Sequence, residues 1–573
     1  MVKNSKFSRQ PVAEQLFVGH TEMMRQLTGL DTSFLSLETP SQCGHVASLT
    51  IYDLAGWAER GTIGDASGAV GSFFDAIAGT VRERLHLIPL MRRKLIEVPL
   101  GLDHPYWIND PDFDLEFHVR NLALPIPGSD EQLAEQVARI ISRPLDRARP
   151  LWELYVIDGL AGNRAAMLTK IHHAAIDGMA GVELLTTLLD TDPAGRIVAP
   201  SSSWKPEQPP SLAELAIRTA MNYAKNPGRA LRLQAKALRS ATGVARSAGA
   251  GLVTTLPLAM AFQEVPALGN LSRRLLGKSE SMESFPTLPS RSAPKTPFNR
   301  SITPHRRFAY GSLSLNDAKT VRRVFGVTVN DVVLALSASA LRRYLCDTGD
   351  LPVEPLVAMI PVSIRSGTEA DAYTNRVSAV LTSLHTNLDD PQARLAAIHD
   401  STSAAKDMKK AIPADLLTDL AQFAPPALAA RASRVVTRTG MMNRINPPFN
   451  LIISNVPGPK ETLYTSGAPL LHFYPVSTIV EGQGMNITVQ SYGDTLDFGV
   501  VSCRELVPNP SVIITYLREA LVEYVELAAR ATEAATEASS PIGAEVVPIA
   551  KAQRGRAKTA RSGTRAKKRT SAK

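Results

Sequence analysis

Short apolar runs of strand length alternate with amphipathic helical stretches in two separate parts of this chain, and a proline-rich, basic stretch lies between them. That punctuation constrains the fold more than any single residue does. A strand must find a sheet, and a helix must cover its apolar stripe. In the first part "HVASLTIYDL", "PLWELYVIDGL" and "RAAMLTKI" read as strands, and "DEQLAEQVARIIS" as a helix ended at "RPLDRARP". "GAVGSFFDAIAGTVRERLHL" begins as an amphipathic helix that should stop before Pro89. In the second part "LNDAKTVRRVFG" is a helix closed by Gly326. "TVNDVVLALSASALRRYL" is a longer helix opened by Thr328, with Asp331 as its capping-box acid. "EPLVAMIPVSIR" and "FNLIISNVPGP" read as buried strands, and "MNITVQSYGDTLDFGVVS" as a hairpin turning at Gly493-Asp494. Strands and helices interleave in both parts, which predicts an α/β fold of two similar domains. At 573 residues the chain is too long for one ordinary core. The expected division is a loose N-terminus at 1–25, a first domain at 26–190, a linker and basic helical connector at 191–305, a second domain at 306–530, and a disordered basic tail at 531–573.

The connector opens with "APSSSWKPEQPPS", a linker by composition. Residues 211–246 then look helical and basic, carrying Arg218, Lys225, Arg229, Arg232, Lys236, Arg239 and Arg246. "SAGAGLVTTLPLAMAF" follows without a charge, but Pro257 interrupts it and it is too short to span a bilayer. Two readings stand: a basic helix beside an apolar segment on a lipid surface, or a crossover packed against the two domains. The net charge of +9 belongs to the end of the chain. Residues 551–573 hold ten Lys or Arg and no acid, and without them the charge is −1. A run of this kind should be disordered. Anionic lipid, nucleic acid or an acidic protein would suit it, and so would a purely solubilising role. Cys43, Cys346 and Cys503 are widely spaced, with no CxxC, which argues against a disulfide framework or a zinc module and fits a reducing compartment. "MVKNSKFSRQPVAEQLF" has no apolar core of a secretory signal.

"TKIHHAAIDGMAG" places His172 and His173 side by side at the end of an apolar strand, in a chain with 11 histidines. Adjacent residues on a strand face opposite ways, so one ring should enter a cleft and the other the packing. Zinc ligands come as separated pairs with a third ligand, so the pattern speaks against a metal. A neutral imidazole with a pKa near 6.5 suits a general base. Gly178 and Gly181 would permit a tight turn and close access of substrate. Asp177 has two readings, a helix cap or a partner for an arginine, and both are structural. Polar residues merely satisfied within a loop are the competing explanation of the whole motif.

"HHAAIDG", from His172 to Gly178, resembles the HHxxxDG motif of the CoA-dependent acyltransferase superfamily. "RPLWELYVIDGL", "TVNDVVLALSASALRRYL", "MIPVSIRS", "FNLIISNVPGP", "LTGLDTSFLSLETP" and "YPVSTIVEGQGMNITVQSYGDTLDFGVV" together resemble the bacterial wax ester synthase/diacylglycerol acyltransferase family, over roughly residues 25–530. The basic tail lies outside that pattern. The resemblance implies two chloramphenicol-acetyltransferase-like domains, a long helical crossover and a central tunnel. It implies His173 as the general base, His172 in support and Asp177 as structural, with Arg365 as the candidate partner of Asp177. Asn330, near a helix start, is either an oxyanion donor or a helix-start hydrogen bond. Ser454 and Asn455 are candidates to line the tunnel, Gly178 to admit substrate, and Trp152 to pack or to wall a lipid channel.

The function this implies is an O-acyltransferase that esterifies diacylglycerol to triacylglycerol by direct transfer. Acyl-CoA is a co-substrate, and neither a bound cofactor nor a metal is expected. Wax ester synthesis from a long-chain alcohol is the near alternative. A non-catalytic lipid-surface or nucleic-acid-binding protein is the distant one, motivated by the basic tail and connector. The expected location is cytoplasmic, peripheral to a membrane or lipid droplets.

Overall fold

The computed structural model describes residues 24–57, 72–176, 187–199, 204–225, 293–363, 377–411, 434 and 436–539. In the first part the strands are β1 (Arg25–Gln26), β2 (His45–Asp53), β3 (Arg93–Ile96), β4 (Tyr106–Asn109), β5 (Val119–Ala123), β6 (Trp152–Leu160) and β7 (Arg164–His172). In the second they are β8 (Arg306–Ser314), β9 (Val357–Ser363), β10 (Val377–Ser383), β11 (Leu451–Val456), β12 (Tyr464–Thr465), β13 (Ala468–Val476), β14 (Met485–Tyr492) and β15 (Thr495–Cys503). The helices used below are α1 (Gly29–Ser36), α2 (Phe73–Arg84), α3 (Asp130–Ile141), α4 (Leu212–Lys225), α5 (Leu315–Phe325), α6 (Val329–Asp347), α7 (Pro391–Ala411) and α8 (Ser511–Ser539).

One six-stranded sheet runs in the order β12-β13-β2-β7-β6-β5. β7 lies between β2 and β6, antiparallel to both. Every β7 residue after Arg164 is buried, which explains why its sequence is an apolar run and not an alternation. One face carries α2, whose Phe73, Ile77 and Val81 pack with Leu154, Val156 and Met167. The other carries α3, whose Leu133, Val137 and Ile141 pack with Leu49, Ile157 and Leu168. α2 stops at Arg84, as the sequence suggests, but two 3-10 turns and the unexpected short strand β3 follow it. β12 and β13 come from far along the chain, and β13 pairs antiparallel with β2.

The second six-stranded sheet runs β10-β9-β11-β14-β15-β8. Helix α6 is buried along most of its length against this sheet's core, from Val332 to Leu341. Its start is the expected capping box between Thr328 and Asp331, and α5 ends on Gly326 at φ 69°. The hairpin turns at Gly493, which sits at φ 52°. A three-stranded sheet, β1-β4-β3, supports α4 through Leu215, Val98 and Tyr106. Residues 529–539 are the last turns of α8 and form a unit of their own. Among the described residues no single helix is long and apolar enough to cross a membrane.

The residues 226–292 of the basic connector, the tail from 540 onward, and Asp177, Gly178, Gly181 and Arg365 all lie outside the described residues.

Candidate active site

β7 ends at His172, and His173 opens the turn that follows. Both backbone N–H groups at this strand end are committed. His172 N–H donates to the Leu151 carbonyl at 2.9 Å, and His173 N–H donates to the Gly44 carbonyl at 2.8 Å. The Pro150-Leu151-Trp152 stretch therefore holds the histidine pair through its main chain from one side. The loop before β2 holds it from the other.

The two rings occupy different environments. His172 is 1% exposed. Its Nδ1 accepts the Ala174 N–H at 3.0 Å, which puts the ring proton on Nε2. Nε2 lies 3.2 Å from Glu38 Oε1, close in distance although off the straight hydrogen-bond line. Glu38 also accepts the Gly44 N–H at 2.7 Å and two bonds from Arg147, at 2.7 and 3.1 Å. Burial works to raise the Glu38 carboxyl. The His172 ring, the Gly44 N–H and Arg147 outweigh it and hold the pKa at about 2. Gly44 is needed for this closeness, since a Cβ there would stand 2.6 Å from His172 Nε2. His173 is only partly buried, and Phe34 of α1 stacks on its ring at 4.1 Å and 7°.

Asn330 and Asn455 form a second group. Asn455 Nδ2 donates to Asn330 Oδ1 at 3.5 Å, a long bond, and Asn330 lies in the first turn of α6. Asp331 is wholly buried and anchors that turn. It accepts the Thr328 N–H at 2.9 Å and the Thr402 hydroxyl at 2.7 Å, and its Oδ2 is 2.8 Å from His399 Nδ1. Burial again opposes ionisation, and these partners overcome it to lower the Asp331 pKa. Ser454 pairs with Thr488 across β11 and β14. Thr488 and Ser477 hydroxyls are 2.8 Å apart, and Thr478 donates to the Cys43 carbonyl at 2.8 Å. The loop between β13 and β14 thus connects the Asn455 strand to the loop that holds His173. Trp152 is buried, stacks on His118 at 4.5 Å and donates to the Met91 carbonyl at 2.7 Å. With Met91, Trp107, Leu151, Ile171 and Ala175 it lines a small apolar pocket beside the strand end.

Glu38, Arg147, Phe34 and Gly44 drew no role from the sequence, although "LTGLDTSFLSLETP" was legible as a distinctive stretch. A lone acid after a short helix gives no local sign that it will meet a histidine so far along the chain. Among the described residues no group of three or more His, Cys, Asp or Glu side chains could hold a metal ion.

A family model described as the wax ester synthase/diacylglycerol acyltransferase catalytic domain matches residues 27–333, and the corresponding C-terminal domain matches residues 373–524. A Mycobacterium tuberculosis protein named as a diacylglycerol O-acyltransferase is 36% identical over 500 residues, covering 87% of this chain and 98% of its own. The O-acyltransferase WSD of Acinetobacter baylyi is 32% identical, covering 87% and 96%. The solved wax ester synthase/diacylglycerol acyltransferase from Marinobacter aquaeolei is 28% identical with a TM-score of 0.59, covering 88% of this chain and all of its own.

Proposed function

The chain belongs to the wax ester synthase/diacylglycerol acyltransferase family, and on that premise we propose an acyl-CoA-dependent O-acyltransferase whose general base is His173. Diacylglycerol is the preferred acceptor, giving triacylglycerol. The observation that carries the reading is the strand end itself: His173 is pinned by its backbone, braced by Phe34, and set beside a His172 tied to Glu38.

The chemistry follows from these groups. His173 takes the proton of the acceptor hydroxyl as that oxygen attacks the thioester carbonyl of acyl-CoA. The C–S bond breaks, the thiolate of CoA leaves, and the imidazolium returns its proton to that sulfur. The enzyme forms no covalent intermediate. Base catalysis of this kind contributes about 10²–10⁴-fold. The Phe34 ring face favours the imidazolium as it forms and limits rotation of the ring. His172 acts in support, held in one tautomer. The oxyanion of the tetrahedral intermediate needs donors, and Asn330 in the first turn of α6 is our candidate, assisted by the helix dipole and by Asn455. Ser454 and Gly178 are assigned to the substrate path. Asp177 is assigned to the turn, with Arg365 as its partner. Trp152 is assigned to the wall of the lipid path, along which each buried CH₂ of an acyl chain contributes about 0.8 kcal/mol.

We take the chain as two domains near 26–190 and 306–530, with β13 reaching back into the first sheet. A lipid acceptor implies work at the edge of a membrane or droplet, and three unpaired cysteines fit the reducing interior of a cell. Purified protein supplied with labelled acyl-CoA and equal diacylglycerol and hexadecanol is the test. Predominant triacylglycerol supports the ranking. Predominant wax ester reverses it, and no ester with either acceptor rejects the reading.

A further inference from the structure

The solvent side of α4 is inverted relative to an ordinary surface helix, whose exposed arc is polar. Among its described side chains the exposed ones are Leu212, Ile217 and Met221 with four alanines, at 213, 216, 220 and 224, and Leu212 is 72% exposed. At about 100° per residue they fill one half of the helix circumference. Glu214, Arg218, Thr219 and Asn222 turn inward. Glu214 and Arg218 pair at 2.9 Å, and Asn222 donates to Asp103 and to the Tyr106 hydroxyl. Beside α4, the turn Pro99–Gly101 presents Leu100, 84% exposed and held at φ 59°, a left-handed conformation that leucine seldom takes. Leu102 follows it, also exposed.

We propose that this face of α4, with Leu100 and Leu102, docks the enzyme onto a lipid surface bearing anionic phospholipid. Charge selects that occupant. The sequence continuing from the helix, residues 226–263, carries five Lys or Arg and no Asp or Glu. Apolar side chains entering the acyl boundary beside basic residues is the pattern of interfacial binding. The proposal rests on the lipid-acyltransferase reading for its purpose, since it would set the enzyme on the phase that holds its acceptor.

Flotation of the full chain with phosphatidylcholine–phosphatidylglycerol vesicles tests it. The wild-type protein floats with these vesicles and less with phosphatidylcholine alone. In I217S/M221S the vesicle-bound partition falls about tenfold or more. Met221→Trp gives a second readout, its emission shifting to the blue when vesicles are added. Equal flotation of wild type and I217S/M221S overturns the proposal. So does Met221→Trp emission that vesicles do not move, or that is already blue without them because the chain covers its own helix. A wild-type dimer that I217S/M221S splits assigns the face to a second copy and overturns it too. Acyl transfer to a dispersed short-chain acceptor stays at the wild-type rate in these variants. Wild-type flotation without any transfer would strike the enzymatic reading and leave the docking face standing.

Discussion

Glu38 makes its environment's balance visible at the scale of one residue. It is a partly buried carboxylate surrounded by a histidine ring, a backbone N–H and a guanidinium, and its folded pKa of about 2 lies below the unfolded 4.5. A depressed carboxyl stabilises the fold above its unfolded pKa, and the stabilisation is lost as pH falls toward the folded value. Glu38→Gln is therefore expected to cost about 2–4 kcal/mol in urea unfolding above about pH 5. Its deficit against wild type should shrink as the pH approaches about 2. The same variant should lower kcat by on the order of tenfold to a hundredfold, because His172 loses its fixed ring and its neighbour His173 drifts. Gly44→Ala acts on the same contact from the other side. Its Cβ would press on His172 Nε2, and we expect a loss of about 1–3 kcal/mol together with reduced turnover.

Elements carry the residues to their places, and here sequence and structure agree most closely. Thr328 and Asp331 spell a capping box, and the box is present. Its acid does more than cap, because His399 and Thr402 of α7 also bind it. Asp331→Ala should accordingly cost more than an ordinary cap, about 2–4 kcal/mol in urea unfolding, and should weaken turnover by loosening Asn330. Strands β2, β6, β7, β11, β14 and β15 were legible because apolar runs and turn residues are local signals. α1, β3 and β13 were not. β13 contains Pro475 and mixed polarity, and its place is decided by pairing with β2, a partner hundreds of residues away. The role of the Pro150–Trp152 stretch was half legible. Trp152 packs, as its apolar ring suggests, but the hydrogen bond that holds the histidine strand comes from the Leu151 carbonyl, which no side-chain pattern encodes.

At the scale of the molecule the described residues form two six-stranded sheets and one of three strands, with β12 and β13 crossing from the second part of the sequence into the first sheet. Segment-by-segment reading separates what that crossing joins, which is why the Asn330 and His173 groups could be named separately from sequence but not connected. The loop after β13 connects them through Thr478 and Ser477. Charge is distributed unevenly at this scale too, with ten basic residues in 551–573 on a body of net −1. Deleting 551–573 should leave turnover of dispersed substrates nearly intact and weaken vesicle recruitment at low salt, an effect that high salt abolishes. In the proposed mechanism transfer depends on the His173 ring. The most direct measurement is the rate of labelled acyl transfer from acyl-CoA to diacylglycerol by His173→Ala, with folding checked by its unfolding midpoint. The account predicts a fall of about 10²–10⁴-fold in a protein that remains folded. Transfer by folded His173→Ala at the wild-type rate would contradict it.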